Sequence, residues 1–146
     1  MNILGDKFFM NEAFKEAQRA MEEGEVPVGA VIVSNNIIIA RAHNQVETLN
    51  DPTAHAEMLA ITSATNYLGS KYLENCTIYI TLEPCMMCAS ALNWSKIGKI
   101  VYAAEDEKNG FMKYGKSVLH PKTNLEFGIM GEESSMLLKD FFKEKR

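Results

Sequence analysis

Hydrophobic positions change their spacing several times along the chain, and each change marks a predicted element. Between residues 8 and 23 they recur every three or four residues, which predicts an amphipathic helix ending near Gly24. The apolar runs 28–33 and 37–40 flank a short polar turn and predict a β-hairpin. The same criteria predict helices at 54–66, 84–93 and 132–143 and strands at 76–82, 99–104 and 125–129.

The order of these elements predicts the fold class. Helices alternate with strands, so we expect an α/β fold, a three-layer α/β/α sandwich with a mixed five-stranded sheet between its helices. A chain of 146 residues has the length of one domain, and no repeat, low-complexity tract or linker divides it. We therefore expect a single domain over residues 1–146, with a Lys- and Gly-rich loop at 105–123.

The charge is unevenly distributed. The net charge is −4, which excludes a protein that coats nucleic acid through a generally basic surface. Residues 1–93 carry 5 Lys and Arg against 11 Asp and Glu, a net −6, whereas residues 94–146 carry 10 against 8, a net +2. The basic C-terminal third indicates either an anionic partner or an ordinary solvated surface.

The N-terminus lacks the pattern of a secretory leader. Asp6 and Lys7 interrupt the first apolar cluster, and no small-residue cleavage site follows. The longest uncharged stretch, residues 26–40, contains Pro27 and Gly29 and is too short to span a bilayer. We therefore predict a cytoplasmic protein without membrane association, in which an odd number of cysteines indicates metal or redox chemistry rather than a disulfide framework.

Two short motifs combine the residue types of a zinc site. His55 and Glu57 form an HxE motif, and Cys85 and Cys88 form a PCxxC motif, each at the start of a predicted helix. Unpaired N–H groups and the dipole at a helix N-terminus favour a thiolate at Cys85. Two sulfurs and one imidazole suit zinc, and three protein ligands leave a fourth position for water, as in catalytic sites.

Glu57 has a separate predicted role. On a regular helix, residues two positions apart point about 200° away from each other. His55 and Glu57 therefore share a site only if the metal lies beyond the helix N-terminus. Glu57 would then stand beside the water without binding the metal, which is the position of a proton shuttle.

Other interpretations of the cysteines remain open. A CxxC motif also occurs in redox proteins, although these need no HxE partner. A closed structural site would need Cys76 as a fourth ligand, but Cys76 starts a predicted strand and is typical of a buried small hydrophobe. The remaining candidates are assigned to the surface or loops (His43, His120), to the strand end (Glu83) and to packing (Met86, Met87).

Four segments resemble a known family. They are residues 25–31 (EVPVGAV), 51–57 (DPTAHAE), 81–88 (TLEPCMMC) and 137–142 (LLKDFF). In sequence and spacing they resemble the bacterial tRNA-specific adenosine deaminases, which belong to the cytidine deaminase-like superfamily of zinc enzymes. The resemblance extends over nearly the whole chain.

The resemblance implies a reaction and a set of roles. The fold would be cytidine deaminase-like, and the reaction would convert the wobble adenosine of a tRNA anticodon to inosine with release of ammonia. One Zn²⁺ per subunit would be held by His55, Cys85 and Cys88, and Glu57 would protonate the base. Asn44 would form a hydrogen bond with the base; the alternative is that Asn44 is only a turn or strand-end residue. A homodimer would hold the anticodon loop, with phosphates near Lys139, Lys143, Lys145 and Arg146.

One loop departs from the family pattern and keeps a second substrate class open. Where the family has small residues, this chain has Phe111, Met112 and Tyr114, which would either stack on unpaired bases or close the pocket over a small substrate. Residues 50–104, especially Asn93 and Trp94, also resemble bacterial guanine deaminase. The alternative functions are a deaminase of a free base or nucleoside, of guanine or cytosine type, and a non-catalytic zinc module.

Overall fold

The computed structural model describes residues 4–145. Five helices and five strands follow one another in the order expected for an α/β protein. They are α1 (Asp6–Glu22), β1 (Gly29–Ser34), β2 (Ile37–His43), α2 (Val46–Leu49), α3 (Ala56–Leu68), β3 (Cys76–Leu82), α4 (Met86–Ser95), β4 (Lys99–Ala104), β5 (Asn124–Phe127) and α5 (Gly131–Glu144). Two 3₁₀ turns, Phe111–Tyr114 and Lys116–Val118, lie between β4 and β5.

The five strands form one mixed sheet in the order β2-β1-β3-β4-β5. Strand β1 runs antiparallel to β2 and β3, whereas β3, β4 and β5 are parallel to one another. Parallel strands need a crossover, and α4 provides the one between β3 and β4. The predicted mixed five-stranded sheet is confirmed.

Helices cover both faces of the sheet. Because side chains alternate along a strand, Ile78 and Ile80 of β3 face one side and pack with Ala60 of α3 and Leu92 of α4. Tyr79 faces the other side and belongs to a cluster with residues of α1, and α1 in turn contacts α5. The structure therefore has the expected three-layer α/β/α architecture.

The predicted starts of the two helices after β2 and β3 are wrong by about two residues. The Asp51 carboxylate accepts hydrogen bonds of 2.8 Å from both the N–H and the hydroxyl of Thr53, which holds residues 51–53 in a turn. Helix α3 therefore begins at Ala56 with His55 as its N-cap residue. Helix α4 likewise begins at Met86 with Cys85 as its N-cap residue.

Two features of the first half differ from the sequence prediction. Strand β2 extends three residues farther than predicted, to His43, and the short helix α2 was not predicted. The prediction that His43 lies at the surface is wrong: it is buried, with its ring nitrogens 3.3 Å from Glu16 and 2.9 Å from Glu23. Carboxylates of α1 and of the turn after it thus provide the partners that permit burial. His120 does lie in a loop, as predicted.

No helix within residues 4–145 is long and apolar enough to cross a membrane.

Gly29 sets the distance between the sheet and α1. A Cβ atom at Gly29 would overlap the carbonyl oxygen of Ala13 and the backbone nitrogen of Ala17. The absence of a side chain therefore lets β1 pack directly against the backbone of α1. Through this contact, α1 packs on the face of the sheet opposite α3 and α4.

We expect the substitution Gly29→Ala to destabilise the fold by about 2 kcal/mol or more, because backbone atoms of α1 would have to move. Gly5→Ala is the matched control, since a Cβ atom at Gly5 meets nothing within 4 Å. Urea unfolding followed by circular dichroism measures both. Equal midpoints for the two variants would contradict the proposed close approach.

Candidate active site

An open cavity of about 910 Å³ lies where β3 ends and where α3 and α4 begin. Ligands commonly bind beyond the carboxyl ends of parallel strands, and β3 and β4 end on this side. Residues from many segments of the chain line the cavity, so its shape depends on the whole fold. They include Asn44, His55, Glu57, Cys85, Lys113, Tyr114, Phe141, Phe142 and Lys145.

Three predicted metal ligands meet at this cavity. The Nδ1 atom of His55 lies 3.6 Å from the sulfur of Cys85 and 3.4 Å from the sulfur of Cys88. The ligand atoms of these three residues all lie within 4.8 Å of one another. Zinc bonds of about 2.3 Å to sulfur and about 2.1 Å to nitrogen, at tetrahedral angles, separate such atoms by about 3.6 Å. The donor set and its spacing therefore fit zinc.

The helix starts explain why these ligands converge. His55 and Cys85 are the N-cap residues of α3 and α4, and Cys88 lies in the first turn of α4. A hydrogen bond from Cys88, together with one from His55, lowers the pKa of Cys85 to about 4 against the opposing effect of burial. The hydrogen bond between Cys88 and Cys85 is the larger cause of a raised pKa of Cys88, and burial of Cys88 raises that pKa further. The lowered pKa suits Cys85 to act as a thiolate ligand.

Glu57 lies beside these ligands without belonging to the set. It occupies the first turn of α3, and only 4% of its surface is exposed. Burial raises its pKa to about 7. This position agrees with the argument from helix geometry: His55 is the N-cap residue of α3, Glu57 lies in its first turn, and both line the same cavity.

Asn44 follows β2 directly and lines the cavity. Its Oδ1 atom accepts a hydrogen bond of 2.8 Å from the backbone N–H of Ala56. This bond satisfies one of the unpaired donors at the start of α3 and fixes the orientation of the amide. The two interpretations of Asn44 are therefore compatible: its oxygen orders the strand end and α3, and its –NH₂ group remains available for a ligand.

Sequence reasoning missed the role of Glu83. It was interpreted as the end of a strand, but its buried carboxylate accepts 3.0 Å hydrogen bonds from the backbone N–H groups of Asp106 and Met112. A Cβ atom at Gly110 would overlap this carboxylate. Through these hydrogen bonds, Glu83 holds the loop after β4 in position beside the cavity.

Glu25 likewise holds a backbone segment in place on another side of the cavity, the short helix α2. Only 1% of its surface is exposed, and its carboxylate accepts hydrogen bonds from Glu47 N–H (3.0 Å) and from the N–H and hydroxyl of Thr48 (both 2.7 Å). Burial alone would raise the pKa of Glu25, but these bonds outweigh it, and the pKa lies below its ordinary value. For Glu83, the available sequence signal was an acidic residue directly between an apolar strand and Pro84. Glu25 lies two residues before Pro27 and follows Glu23 and Gly24, so its burial had no such local signal.

The bulky residues of the loop after β4 have different environments. Phe111 is fully buried and packs edge-on against Tyr102, so the expectation that it faces a base or the pocket is wrong. Tyr114 is 56% exposed and lines the cavity. Met86 and Met87, which the sequence assigns to packing rather than to metal binding, also line the cavity.

The structure separates the third cysteine from the other two. Cys76 is buried at the start of β3, and Cys85 follows the other end of that strand, which is about 20 Å long. A closed site with Cys76 as fourth ligand is therefore excluded. Among the basic residues of the C-terminal end, Lys145 lines the cavity and Lys139 and Lys143 are exposed, whereas Arg146 lies outside the described residues.

Comparison with known proteins shows which protein family has a sequence like that of this chain. The sequence profile of the cytidine and deoxycytidylate deaminase zinc-binding region matches residues 5–104, which include Glu57 and the three residues positioned to bind a metal ion, His55, Cys85 and Cys88. The chain belongs to this deaminase family. It is a hydrolytic deaminase, and zinc is its cofactor.

Two individual relatives of the deaminase are similar to it over nearly their whole length. The chain is 49% identical to the tRNA-specific adenosine deaminase of Aquifex aeolicus, over 98% of this chain and 97% of that protein. It is 45% identical to the tRNA-specific adenosine deaminase of Bacillus subtilis, over 97% and 91%. The family resemblance inferred from the sequence is thereby confirmed.

Two solved structures are also similar. One, from work on A-to-I editing by tRNA:A34 deaminases at the wobble position, superposes with a TM-score of 0.84 at 38% identity, covering 90% of this chain and 99% of that one. Guanine deaminase from Bacillus subtilis gives a TM-score of 0.67 at 41% identity, covering 70% and 66%.

We expect the deaminase variant Cys88→Ser to lose its bound zinc, because the remaining two ligands no longer enclose the ion. Cys76→Ser, the matched control, should retain about one zinc per chain, since Cys76 lies at the far end of β3. Metal analysis of the purified proteins measures both. Loss of zinc from Cys76→Ser alone would contradict the assigned ligand set.

Proposed function

We propose that this deaminase converts the wobble adenosine of a tRNA anticodon to inosine and releases ammonia. The supporting observation is the extent of the similarity to tRNA-specific adenosine deaminases, which covers 98% of this chain and therefore extends into α5, where Phe141 and Phe142 line the cavity. Similarity to guanine deaminase covers 70%. A single domain over residues 1–146 in the cytoplasm, where tRNA is processed, accords with this substrate.

Each site residue then has a chemical role. His55, Cys85 and Cys88 hold zinc, which when bound supplies a water whose pKa is about 7. The –NH₂ group of Asn44, oriented by the bond between its oxygen and Ala56, donates to the base. Glu57, buried and with its pKa raised to about 7, would take a proton from the water that adds to C6 of the adenine and pass it to the ring nitrogen. A second proton, from the hydroxyl group then bonded to C6, would pass through Glu57 to the amine as the C6–N bond breaks and ammonia leaves.

The rim of the cavity suits a base extruded from an RNA loop. Lys113 and Tyr114 on one segment and Phe142 and Lys145 on another combine cationic and aromatic groups at its edge. Single-stranded RNA is bound by such combinations, because ammonium groups attract phosphates and rings stack on bases. Both lysines belong to the part of the chain after residue 94 that has an excess of Lys and Arg, although Glu47 and Asp106 also line the cavity.

We propose further that the enzyme is a homodimer in which a second copy covers the outer face of α3 and α4. Glu57 is the only charged residue in α3, and it is buried; α4 has none. On this face Trp94 is 83% and Tyr67 is 68% exposed. Two large aromatic side chains this exposed on uncharged helices mark an interaction surface, and an identical uncharged face supplies a matching surface without leaving a charge unpaired.

A second candidate is the deamination of free guanine. It is favoured by the 41% identity to guanine deaminase, which covers 70% of this chain, and by the sequence Asn93–Trp94. Cytosine is the corresponding pyrimidine candidate within the same zinc deaminase family. Both require the cavity to enclose a small substrate completely.

We expect the wild-type enzyme loaded with zinc to form inosine in an anticodon stem-loop that carries a wobble adenosine. The variant Glu57→Gln should retain zinc and lose about 10²–10⁴-fold in turnover, because the proton carrier is removed while the metal ligands remain. Nucleoside analysis by mass spectrometry measures inosine, and metal analysis provides the control. Ammonia release from guanine or cytosine, without inosine in the stem-loop, would refute the tRNA proposal.

We expect the wild-type protein to sediment at twice the 16.4 kDa of one chain. The substitution Trp94→Glu should produce monomers, because it places a charge on the apolar face of α3 and α4. Met136→Glu on α5 alters a residue that is 57% exposed and leaves that face intact, so it should remain dimeric. Analytical ultracentrifugation measures the mass. A monomeric wild type at micromolar concentration would count against the dimer.

A further inference from the structure

The loop after β4 is held against the metal-binding segment. Gly110 forms a β-bridge with Cys85, and the backbone N–H of Phe111 donates a hydrogen bond of 3.0 Å to the carbonyl oxygen of Pro84. The Glu83 carboxylate binds the same loop at its start and at Met112. The 3₁₀ turn Phe111–Tyr114 therefore has a fixed position relative to the zinc ligands.

Tyr114 stands one turn outward from the buried part of this loop. In a 3₁₀ helix, side chains three residues apart are eclipsed and about 6 Å apart along the axis. Phe111 at the inner end is fully buried, whereas Tyr114 at the outer end is 56% exposed and lines the cavity. The ring of Tyr114 thus lies toward the rim of the cavity rather than at its floor beside Cys85.

The Tyr114 ring is held in place before any ligand binds. The Lys113 ammonium donates a hydrogen bond of 2.8 Å to the carbonyl oxygen of Lys108 and lies 5.3 Å from the centre of the Tyr114 ring. A cation at this distance is attracted to the ring. Because the ring is already ordered, a ligand that stacks on it loses less entropy on binding.

We propose that Tyr114 is a stacking platform for the base of one of the two nucleotides next to the reacting adenosine. This role rests on the proposed tRNA function and defines a specificity-determining residue for it. The cavity of about 910 Å³ is at the upper end of the range for small-ligand pockets, about 300–1,000 Å³, and admits more than the reacting base. A planar ring at its rim matches the manner in which unpaired RNA bases are bound.

Binding to an inactive enzyme tests this role without turnover. In the Glu57→Gln background, a fluorescently labelled anticodon stem-loop is titrated and its anisotropy is recorded. Tyr114→Ala should weaken binding by about five- to a hundredfold, the range for loss of one stacked base. Tyr114→Phe should bind as before, because it retains the ring. Met112→Ala in the same turn is the control: Met112 is 39% exposed and lies outside the cavity lining found in the described part of the chain.

Substrate variants identify the stacked base. An abasic nucleotide on the 5′ or the 3′ side of the adenosine, whichever side contacts Tyr114, should weaken binding as much as Tyr114→Ala does. The two changes together should then have no greater effect than either alone. In the active enzyme, Tyr114→Ala should raise KM for the stem-loop and leave kcat and zinc content unchanged.

Several results would overturn the stacking role while leaving the tRNA function intact. In the first, the wild type forms inosine but Tyr114→Ala binds the stem-loop as tightly as the enzyme with Tyr114. In the second, Tyr114→Phe binds as weakly as Tyr114→Ala. In the third, the effect of Tyr114→Ala on binding adds to the effect of each of the two abasic substitutions. A wild type that forms no inosine in the stem-loop but deaminates free guanine refutes the tRNA function itself, and the stacking role with it.

Discussion

The convergence of two helix N-termini on one point is the constraint on which the site depends. Helices α3 and α4 cover the same face of the sheet and begin beside the end of β3, so that their cap residues, His55 and Cys85, face each other. Helix N-termini favour negative charge, which suits a pair of sulfur ligands. The same arrangement resolves the position of Glu57, which reaches the cluster only because the cluster lies beyond the start of α3.

Buried carboxylates hold the walls around this centre. Glu25 binds the backbone of α2, and Glu83 binds the backbone of the loop after β4. In both cases backbone N–H groups without another backbone partner compensate the negative charge: those in the first turn of α2 for Glu25 and those of the irregular loop for Glu83. Segments that line the cavity are thereby ordered without a large hydrophobic core of their own. Asn44 extends the same principle, since its oxygen accepts a hydrogen bond from the start of α3 and the residue lines the cavity.

Local sequence patterns predicted the elements well and their ends poorly. The strand at 76–82 was predicted to the residue, because a run of β-branched and aromatic residues has one dominant conformation. Helix α3 was predicted to start two residues early, because the turn at Asp51 competes with helix formation through its own side chain. Helix α2 was not predicted, since four residues carry no periodicity and its N-terminus is stabilised by Glu25, 22 residues away in sequence.

The sequence by itself determined the metal chemistry, because the HxE and PCxxC motifs place donor atoms within a few residues of one another and at helix starts. It also determined the mixed sheet and its helical layers. Only the tertiary structure decided the environment of each bulky or charged residue around the site. Phe111 is buried and Tyr114 exposed although they are three residues apart, and His43 is buried because α1 and the turn after it supply two carboxylates. Burial depends on which distant segments pack together, and no local pattern records that.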